Sequence, residues 1–291
     1  MKLTTDKKIL IVGLGLLGGS YAMSLTRQGY YVTAITRSQS SIDYAVSQGW
    51  IARGADHVDA ELVGEADLVV FALYPHVFKD WIREHQQHLK SGAIITDVTG
   101  VKGCIVDEIQ SMLRSDVEFI AAHPMAGKEC SGVENADDAI FRGANYVVTP
   151  SEKNTPDAIE LCEDLGRVLG FARISRLSPA DHDRIIAFVS QLTHCIAMTL
   201  MTCRPAKTVE AEPLEDYTGD SFRDLTRIAR MNDEMWSELF FLNKNALLHQ
   251  MTLFEGELNR LRYLLETDDV EGLRLLMQKS TARRALFDKK I

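Results

Sequence analysis

Three stretches of the chain carry residues whose type and spacing could do chemistry. The first is Gly13-Leu14-Gly15-Leu16-Leu17-Gly18, a Gly-x-Gly-x-x-Gly turn. Between a buried-type strand and a helix, such a turn can hold a dinucleotide. Gly13 makes the tight turn, Gly15 lets the backbone approach a pyrophosphate, and Gly18 lets the helix pack close to the strand. The helix start then offers unpaired N–H groups and a positive dipole end to the diphosphate. The second stretch is His123-Pro124-Met125-Ala126-Gly127-Lys128-Glu129. A histidine at a strand end, fixed by the proline after it, carries the side chain whose ordinary pKa suits proton transfer near neutrality. Spacing alone also allows a histidine packed at a loop corner. The third is the set Arg223, Arg227 and Arg230, which recur at helical spacing. They form a basic face that could hold an anion or simply meet solvent.

The total charge gives that basic face its interest. A formal net charge of −9 over 291 residues argues against a nucleic-acid partner or an anionic membrane surface. An acidic small molecule must therefore be met by locally placed Arg or Lys. Five cysteines (Cys104, Cys130, Cys162, Cys195 and Cys203) without a Cys-x-x-Cys pair suggest neither a disulfide framework nor a zinc site, and no metal is expected. Nothing before Ile9 resembles a signal peptide, and no apolar stretch is read as approaching the roughly 20 residues that span a bilayer. A cytoplasmic protein is expected.

The elements that must position these residues follow from hydrophobic period. Ile9–Val12, Tyr31–Ile35, Leu68–Leu73, Ala93–Thr96, Glu118–Ala122, Tyr146–Pro150 and Phe171–Leu177 read as strands. Helical patterns lie between most of them, which predicts a parallel, doubly wound sheet with right-handed crossovers. Ligands on such sheets sit beyond the carboxyl ends of the strands. Tyr74, Thr99 and the segment after Ala122 should therefore share one rim with the glycine turn. Where NAD enzymes carry an acidic residue after the second strand, this chain reads Thr36-Arg37-Ser38, and no carboxylate appears until Asp43. A guanidinium beside a hydroxyl suits a 2′-phosphate, so NADP is expected ahead of NAD. The cofactor contacts are assigned to Gly13, Gly15, Leu16, Leu17, Gly18, Thr36, Arg37, Ser38 and Leu73.

Beyond Leu177 the period is helical throughout. Ser178-Pro179-Ala180-Asp181 is a helix start, with a Ser cap, Pro in the first turn and an acid three after the cap. The helix it opens carries His182 and His194. A loop with Pro205, Pro213 and Gly219 leads to the arginine stretch, a long helical pattern runs from Met235 to Leu265, and a last helix spans about Val270 to Phe287. The division expected is an α/β Rossmann domain with a doubly wound parallel sheet over residues 1–175, then an all-α domain over 176–291. Its long helices with more than one apolar face need a partner surface, and a homodimer is expected.

Taken together, the motifs resemble the prephenate and arogenate dehydrogenases of tyrosine biosynthesis, over nearly the whole chain. The likeness rests on Gly13-x-Gly15-x-x-Gly18-x-Ser20, Asp97-Val98-Thr99-Gly100-Val101-Lys102, His123-Pro124-Met125-Ala126-Gly127-x-Glu129-x-Ser131-Gly132, Asp181-His182-Asp183-Arg184, Leu192-Thr193-His194, Phe222-Arg223-Asp224-x-Thr226-Arg227-Ile228-Ala229 and Met235-Trp236. The resemblance implies an NAD(P)-dependent oxidative decarboxylation of prephenate, with arogenate as the alternative substrate. His123 would take the proton of the ring hydroxyl and Arg227 would hold a substrate carboxylate. Asp224 and Glu129 would orient the site, and His182 and His194 would line it. Family members often read Gly-Ser where this chain has Thr99-Gly100, so Thr99 is expected to supply the catalytic hydroxyl from one residue away. The proline frequently found before Met-Trp is replaced by Met231-Asn232-Asp233. A 3-hydroxy acid dehydrogenase or imine reductase would share the glycine turn without requiring His-Pro-Met-Ala-Gly. A dinucleotide-sensing regulator would bind the nucleotide without turnover.

Overall fold

The structure, a computed structural model, describes residues 2–203 and 214–287. The loop positions Pro205 and Pro213 lie outside the described residues. The chain divides into two compact units, Met1–Lys244 and Asn245–Ile291.

In the first unit β1 (Lys8–Val12), β2 (Tyr31–Ile35), β3 (Arg53–Ala55), β4 (Leu68–Phe71), β5 (Ile94–Asp97) and β6 (Glu118–Phe119) form a wholly parallel sheet. Its order is β3-β2-β1-β4-β5-β6, so the strand order reverses between β1 and β4, where a crevice opens beyond the strand ends. The crossovers carry α1 (Leu16–Arg27), α2 (Gln39–Ser47), α3 (Ala60–Glu65), α4 (Pro75–His85) and α5 (Val106–Met112). Continuous apolar strands are needed because both faces are covered. In β1, Ile9 and Ile11 enter one core layer with Tyr21, Leu25 and Ile42. Leu10 and Val12 point the other way and join Leu62, Val63 and Phe78. Removing any one of these buried side chains from water contributes about 1.5–3 kcal/mol. Strand β3 is invisible to a hydrophobic scan because Arg53-Gly54-Ala55 has no apolar run. It forms by pairing with the open edge of β2, where a Cβ on Gly54 would press within 3.0 Å of the Ala34 carbonyl oxygen.

The expectation of a single parallel sheet is corrected beyond Ile120. A second sheet of three strands contains β7 (Ala121–Met125), β8 (Asn145–Thr149) and β9 (Arg173–Arg176), and β7 and β8 are antiparallel. The segment between them holds only two short 3₁₀ turns, Val133–Asn135 and Asp138–Phe141, and no crossover helix to bring the chain back parallel. Between β8 and β9 such a helix exists, α6 (Pro156–Val168), and that pair is parallel. His123 therefore lies inside β7, opposite Val147, rather than just past a strand.

Helix α7 (Pro179–Ile186) starts as its cap predicts, with the Ser178 side chain accepting from the Asp181 N–H. It runs through a wider π turn, Ala187–Leu192, into α8 (Thr193–Thr202). The combined helix Pro179–Thr202 has 24 residues and is long and apolar enough to cross a membrane. That corrects the expectation that no stretch approaches such a length. Its charged residues, Asp181, Asp183 and Arg184, lie near its start, and the uncharged part runs from Ile185 to Thr202. Asp183 and Gln191 on this helix are buried and hydrogen-bonded to other elements of the first unit, as polar groups packed inside protein must be. Next come α9 (Asp220–Thr226), a 3₁₀ turn at Arg227–Ala229, and α10 (Asp233–Leu242). Asn232 caps α10 by accepting from the Met235 N–H at 2.8 Å. The long helical pattern read from Met235 to Leu265 is broken at Asn243. This residue's buried side chain donates to the Asp183 carbonyl and the Gln191 side chain.

The second unit is the hairpin of α11 (Lys244–Glu266) and α12 (Val270–Arg284). Asp268, at φ 54°, makes the turn, and Asp269 caps α12 by accepting from the Gly272 N–H. Leu248, Leu253, Phe254, Leu258, Leu275 and Met277 are exposed on these two helices.

Candidate active site

The glycine turn sits at the carboxyl end of β1. Gly13 has φ +100°, and a Cβ there would collide with the Ala72 carbonyl oxygen. A Cβ on Gly18 would collide with the Gly13 carbonyl oxygen. Gly15, by contrast, faces open space. The first turn of α1 has no side-chain cap and no acidic residue, so no carboxylate of its own answers the amides at Leu16 and Leu17. This is the donor set an anionic diphosphate requires. Leu73 lies against Gly13, at 3.0 Å from where a Cβ would stand. At the end of β2, Thr36 is pinned by its N–H to the Ala55 carbonyl, and Ser38 caps α2. Arg37 is exposed and makes no ion pair among the described residues, while Asp43 is held by Gln39. The strand end thus presents a cation and hydroxyls.

Two ends of the sheets are tied together by a buried ion pair. Asp97, the last residue of β5, meets the Lys102 ammonium at 2.6 Å, and both side chains are fully buried. The Asp97 carboxylate also accepts from the Ala122 N–H, and the Lys102 ammonium donates to the Ala122 carbonyl. Both backbone groups of the residue before His123 are therefore clamped. Burial pulls the Lys102 pKa below its ordinary value, with Asp97 opposing. The Thr99 hydroxyl belongs to this clamp. It bonds Asp97 and the Val101 carbonyl and receives a bond from Lys102. Thr99 is therefore not brought to His123 as expected. The backbone position that faces the histidine is Gly100, where a Cβ would lie 3.9 Å from His123 Nε2 and 3.5 Å from Leu239 on α10.

His123 is half-buried, and its Nδ1 lies 2.8 Å from Nε2 of His182. Burial, then the neighbouring His182 and the Lys102 charge, hold the His123 pKa well below the ordinary histidine value. His182 is itself fully buried, and its Nδ1 lies 2.7 Å from the Asp183 carboxylate. Burial lowers its pKa too, with Asp183 opposing. With both ring nitrogens engaged, His182 backs His123 rather than lining a substrate cleft, which corrects its expected place. Helical spacing could not distinguish the two, because it gives the face of a residue and not its partner.

A second cluster borders the first. The ring of His194 stacks on Trp236 with centroids 3.8 Å apart, and its Nδ1 lies 2.9 Å from the Ser190 carbonyl. Burial lowers the His194 pKa, the Ser190 carbonyl and Glu129 raise it, and Arg227 lowers it further. Arg227 is paired with Glu129, so the structure brings those two expected residues together. Asp224 is exposed, and no hydrogen bond or ion pair among the described residues joins it to them. Trp236 and Leu239 stand one turn apart on α10, a rise of about 4.5 Å. Trp236 touches His194 and Leu239 approaches Gly100, so α10 walls both clusters. It is also fastened to the sheet rim, where Glu238 accepts from the His76 N–H at the start of α4. Asp97, Lys102, Asp183 and Trp236 lie within the motifs but carry no expected part in the site, and the structure adds them to it. The one available signal was a lysine and two acids inside otherwise buried-type segments.

Such an arrangement can hold a dinucleotide, accept a proton at His123 Nε2 and meet an anion at Arg227. The chain matches the model described as "Prephenate dehydrogenase, nucleotide-binding domain" over residues 21–172. It matches "Prephenate dehydrogenase, dimerization domain" over residues 178–279. It is 30% identical to the prephenate dehydrogenase of Bacillus subtilis over 274 residues, covering 91% of this chain and 72% of that one. Its structure is similar to that of prephenate dehydrogenase from Aquifex aeolicus in complex with hydroxyphenyl propionate and NAD+. The TM-score there is 0.87, with 29% identity and coverage of 99% of this chain and 100% of the other. Against Synechocystis arogenate dehydrogenase the TM-score is 0.82, with 27% identity and coverage of 97% and 100%.

Proposed function

The chain belongs to the prephenate dehydrogenase family of NAD(P)-dependent oxidoreductases, and from that premise we propose how its own residues carry out the oxidative decarboxylation of prephenate to 4-hydroxyphenylpyruvate. The observation that carries the reading is His123, whose Nδ1 is engaged by His182 while Nε2 faces the notch at Gly100. A base must be neutral to act, and the lowered pKa of His123 keeps it so at neutral pH. The open backbone at Gly15 and the uncapped start of α1 fit a dinucleotide diphosphate. Bound there, a nicotinamide dinucleotide supplies the hydride acceptor for the hydroxyl-bearing ring carbon.

His123 Nε2 receives the hydroxyl proton as that carbon is oxidised. The bond to the ring carboxylate then breaks, its electron pair enters the ring, carbon dioxide leaves, and the resulting phenolate oxygen takes the proton back from His123 to give the phenol. Aromatisation drives the step, so the protein has to position and neutralise more than to activate. Arg227 anchors a carboxylate of the substrate. Glu129 holds Nη1, leaving the Nε and Nη2 edge that can meet a carboxylate with two parallel bonds. Trp236 and His194 wall the substrate side chain, and Leu239 excludes water beside Gly100.

Three finer readings belong to this proposal. Thr36, Arg37 and Ser38 favour NADP over NAD, because they offer a cation and hydroxyls to a 2′-phosphate. The exposed apolar side chains of α11 and α12 pack against a second copy in a homodimer. The enzyme works in the cytoplasm, with the nucleotide-binding division ending near residue 175. One assay tests the reading: formation of the reduced nicotinamide absorbance with prephenate or arogenate, each with NAD or NADP. Turnover of prephenate is expected. Turnover of arogenate alone would reassign the substrate, and turnover of neither would overturn the proposal.

A further inference from the structure

We propose that Asp183, acting through His182, is a positioning residue that fixes which nitrogen of His123 is left bare to receive the substrate proton. This rests on His123 being the base. The Asp183 carboxylate only accepts hydrogen bonds. Its Oδ1 takes the Lys102 N–H at 2.8 Å as well as His182 Nδ1 at 2.7 Å, and its Oδ2 takes the Gly103 N–H at 2.8 Å. His182 must therefore carry its hydrogen on Nδ1. A neutral His182 then offers only a lone pair at Nε2, and the group 2.8 Å away, His123 Nδ1, must be the donor. His123 consequently has no hydrogen on Nε2, the atom facing Gly100. The opposite pattern would set the lone pair of His182 Nδ1 against an anionic oxygen.

The carboxylate at the far end also steadies the positive charge that forms when His123 takes a proton. That charge lies among Asp183, Asp97 and the Lys102 ammonium, the charged groups facing the two rings. One loop holds both ends of the row. The Lys102 N–H fixes Asp183, and the Lys102 ammonium fixes the carbonyl of Ala122, next to His123. Gly103 makes this possible, since a Cβ there would come within 2.9 Å of Asp183 Oδ2. A pair of Asp183 and His182 serving only to satisfy buried polar groups would need no second ring in line with it.

The test is ring-¹⁵N NMR of histidine-labelled protein joined to steady-state kinetics. In the wild type, His123 and His182 should both carry hydrogen on Nδ1. Asp183→Asn, which presents an amide where His182 needs an acceptor, should disturb that pattern. It should lower kcat by about 10²- to 10⁴-fold, while KM for prephenate and the cofactor Kd stay within about threefold. His182→Gln keeps an amide oxygen as acceptor for His123 Nδ1 and should retain a larger part of kcat than His182→Ala. A wild-type spectrum with hydrogen on His123 Nε2 overturns the proposal. So does an Asp183→Asn enzyme that keeps its kcat, or one that loses kcat with the ring pattern unchanged. Should Asp183→Asn not fold, the wild-type spectrum and the two His182 variants decide. Because the spectrum requires no turnover, it separates failure of this inference from failure of the prephenate reading.

Discussion

The ammonium of Lys102 sits 2.6 Å from the carboxylate of Asp97, and neither side chain has any exposed surface. Together they clamp the N–H and C=O of Ala122. Lys102→Met would leave a buried carboxylate unpaired, which costs about 3–5 kcal/mol. Urea unfolding should show that loss as a lower midpoint at unchanged slope. A double change, Lys102→Met with Asp97→Leu, should recover a large part of it. A loss below about 1 kcal/mol in the single variant would mean that the clamp contributes little to stability.

His123→Asn removes the proposed base and should lower kcat by about 10²- to 10⁴-fold with cofactor affinity intact. The pKa of His123 is lowered in the folded protein, so in the wild type kcat/KM should hold steady through neutrality and fall only below the ordinary histidine value of about 6.5. Stability follows the same sign. His123 and His182 are neutral when folded, and the unfolded chain takes up their protons first, so stability is complete above about 6.5 and declines as pH falls. An acid limb centred above 7 in the kcat/KM profile would point to another base.

Arg37→Ala should weaken NADP binding by about 1.5–3 kcal/mol, the range for a hydrogen bond to a charged group. NAD should scarcely respond. Equal effects on both cofactors, with wild-type preference for NAD, would remove Arg37 from the 2′-phosphate.

Arg227→Ala should raise KM for prephenate roughly 10- to 100-fold, with a smaller effect on kcat. Its exposed pair with Glu129 is worth at most about 1 kcal/mol to stability, so the unfolding midpoint should hardly move. Arg227→Lys should recover only part of the affinity, because an ammonium cannot make two parallel bonds to one carboxylate. If Arg223→Ala raises KM and Arg227→Ala does not, the anchor is the other arginine.

What the sequence determined by itself is what local period and single-residue stereochemistry encode. The unbroken apolar run Ile9, Leu10, Ile11 and Val12 calls for a strand covered on both faces, and Gly13 and Gly18 permit approaches that any side chain would block. The Ser178 cap marks the start of α7 at the right residue. Features without a local signature escaped: β3, which exists only through its pairing with β2, and the antiparallel turn from β7 to β8. The break at Asn243 escaped too, because it depends on a side chain and a backbone carbonyl about 50 and 60 positions earlier. The site shows the same division. His123 stands out from its motif, but tertiary structure decided that His182 lies behind it, that Asp183 orients His182, and that Thr99 turns toward Lys102. Periodicity specifies which face a residue occupies. The partner across that face comes from another part of the chain, and only packing brings it within a hydrogen bond.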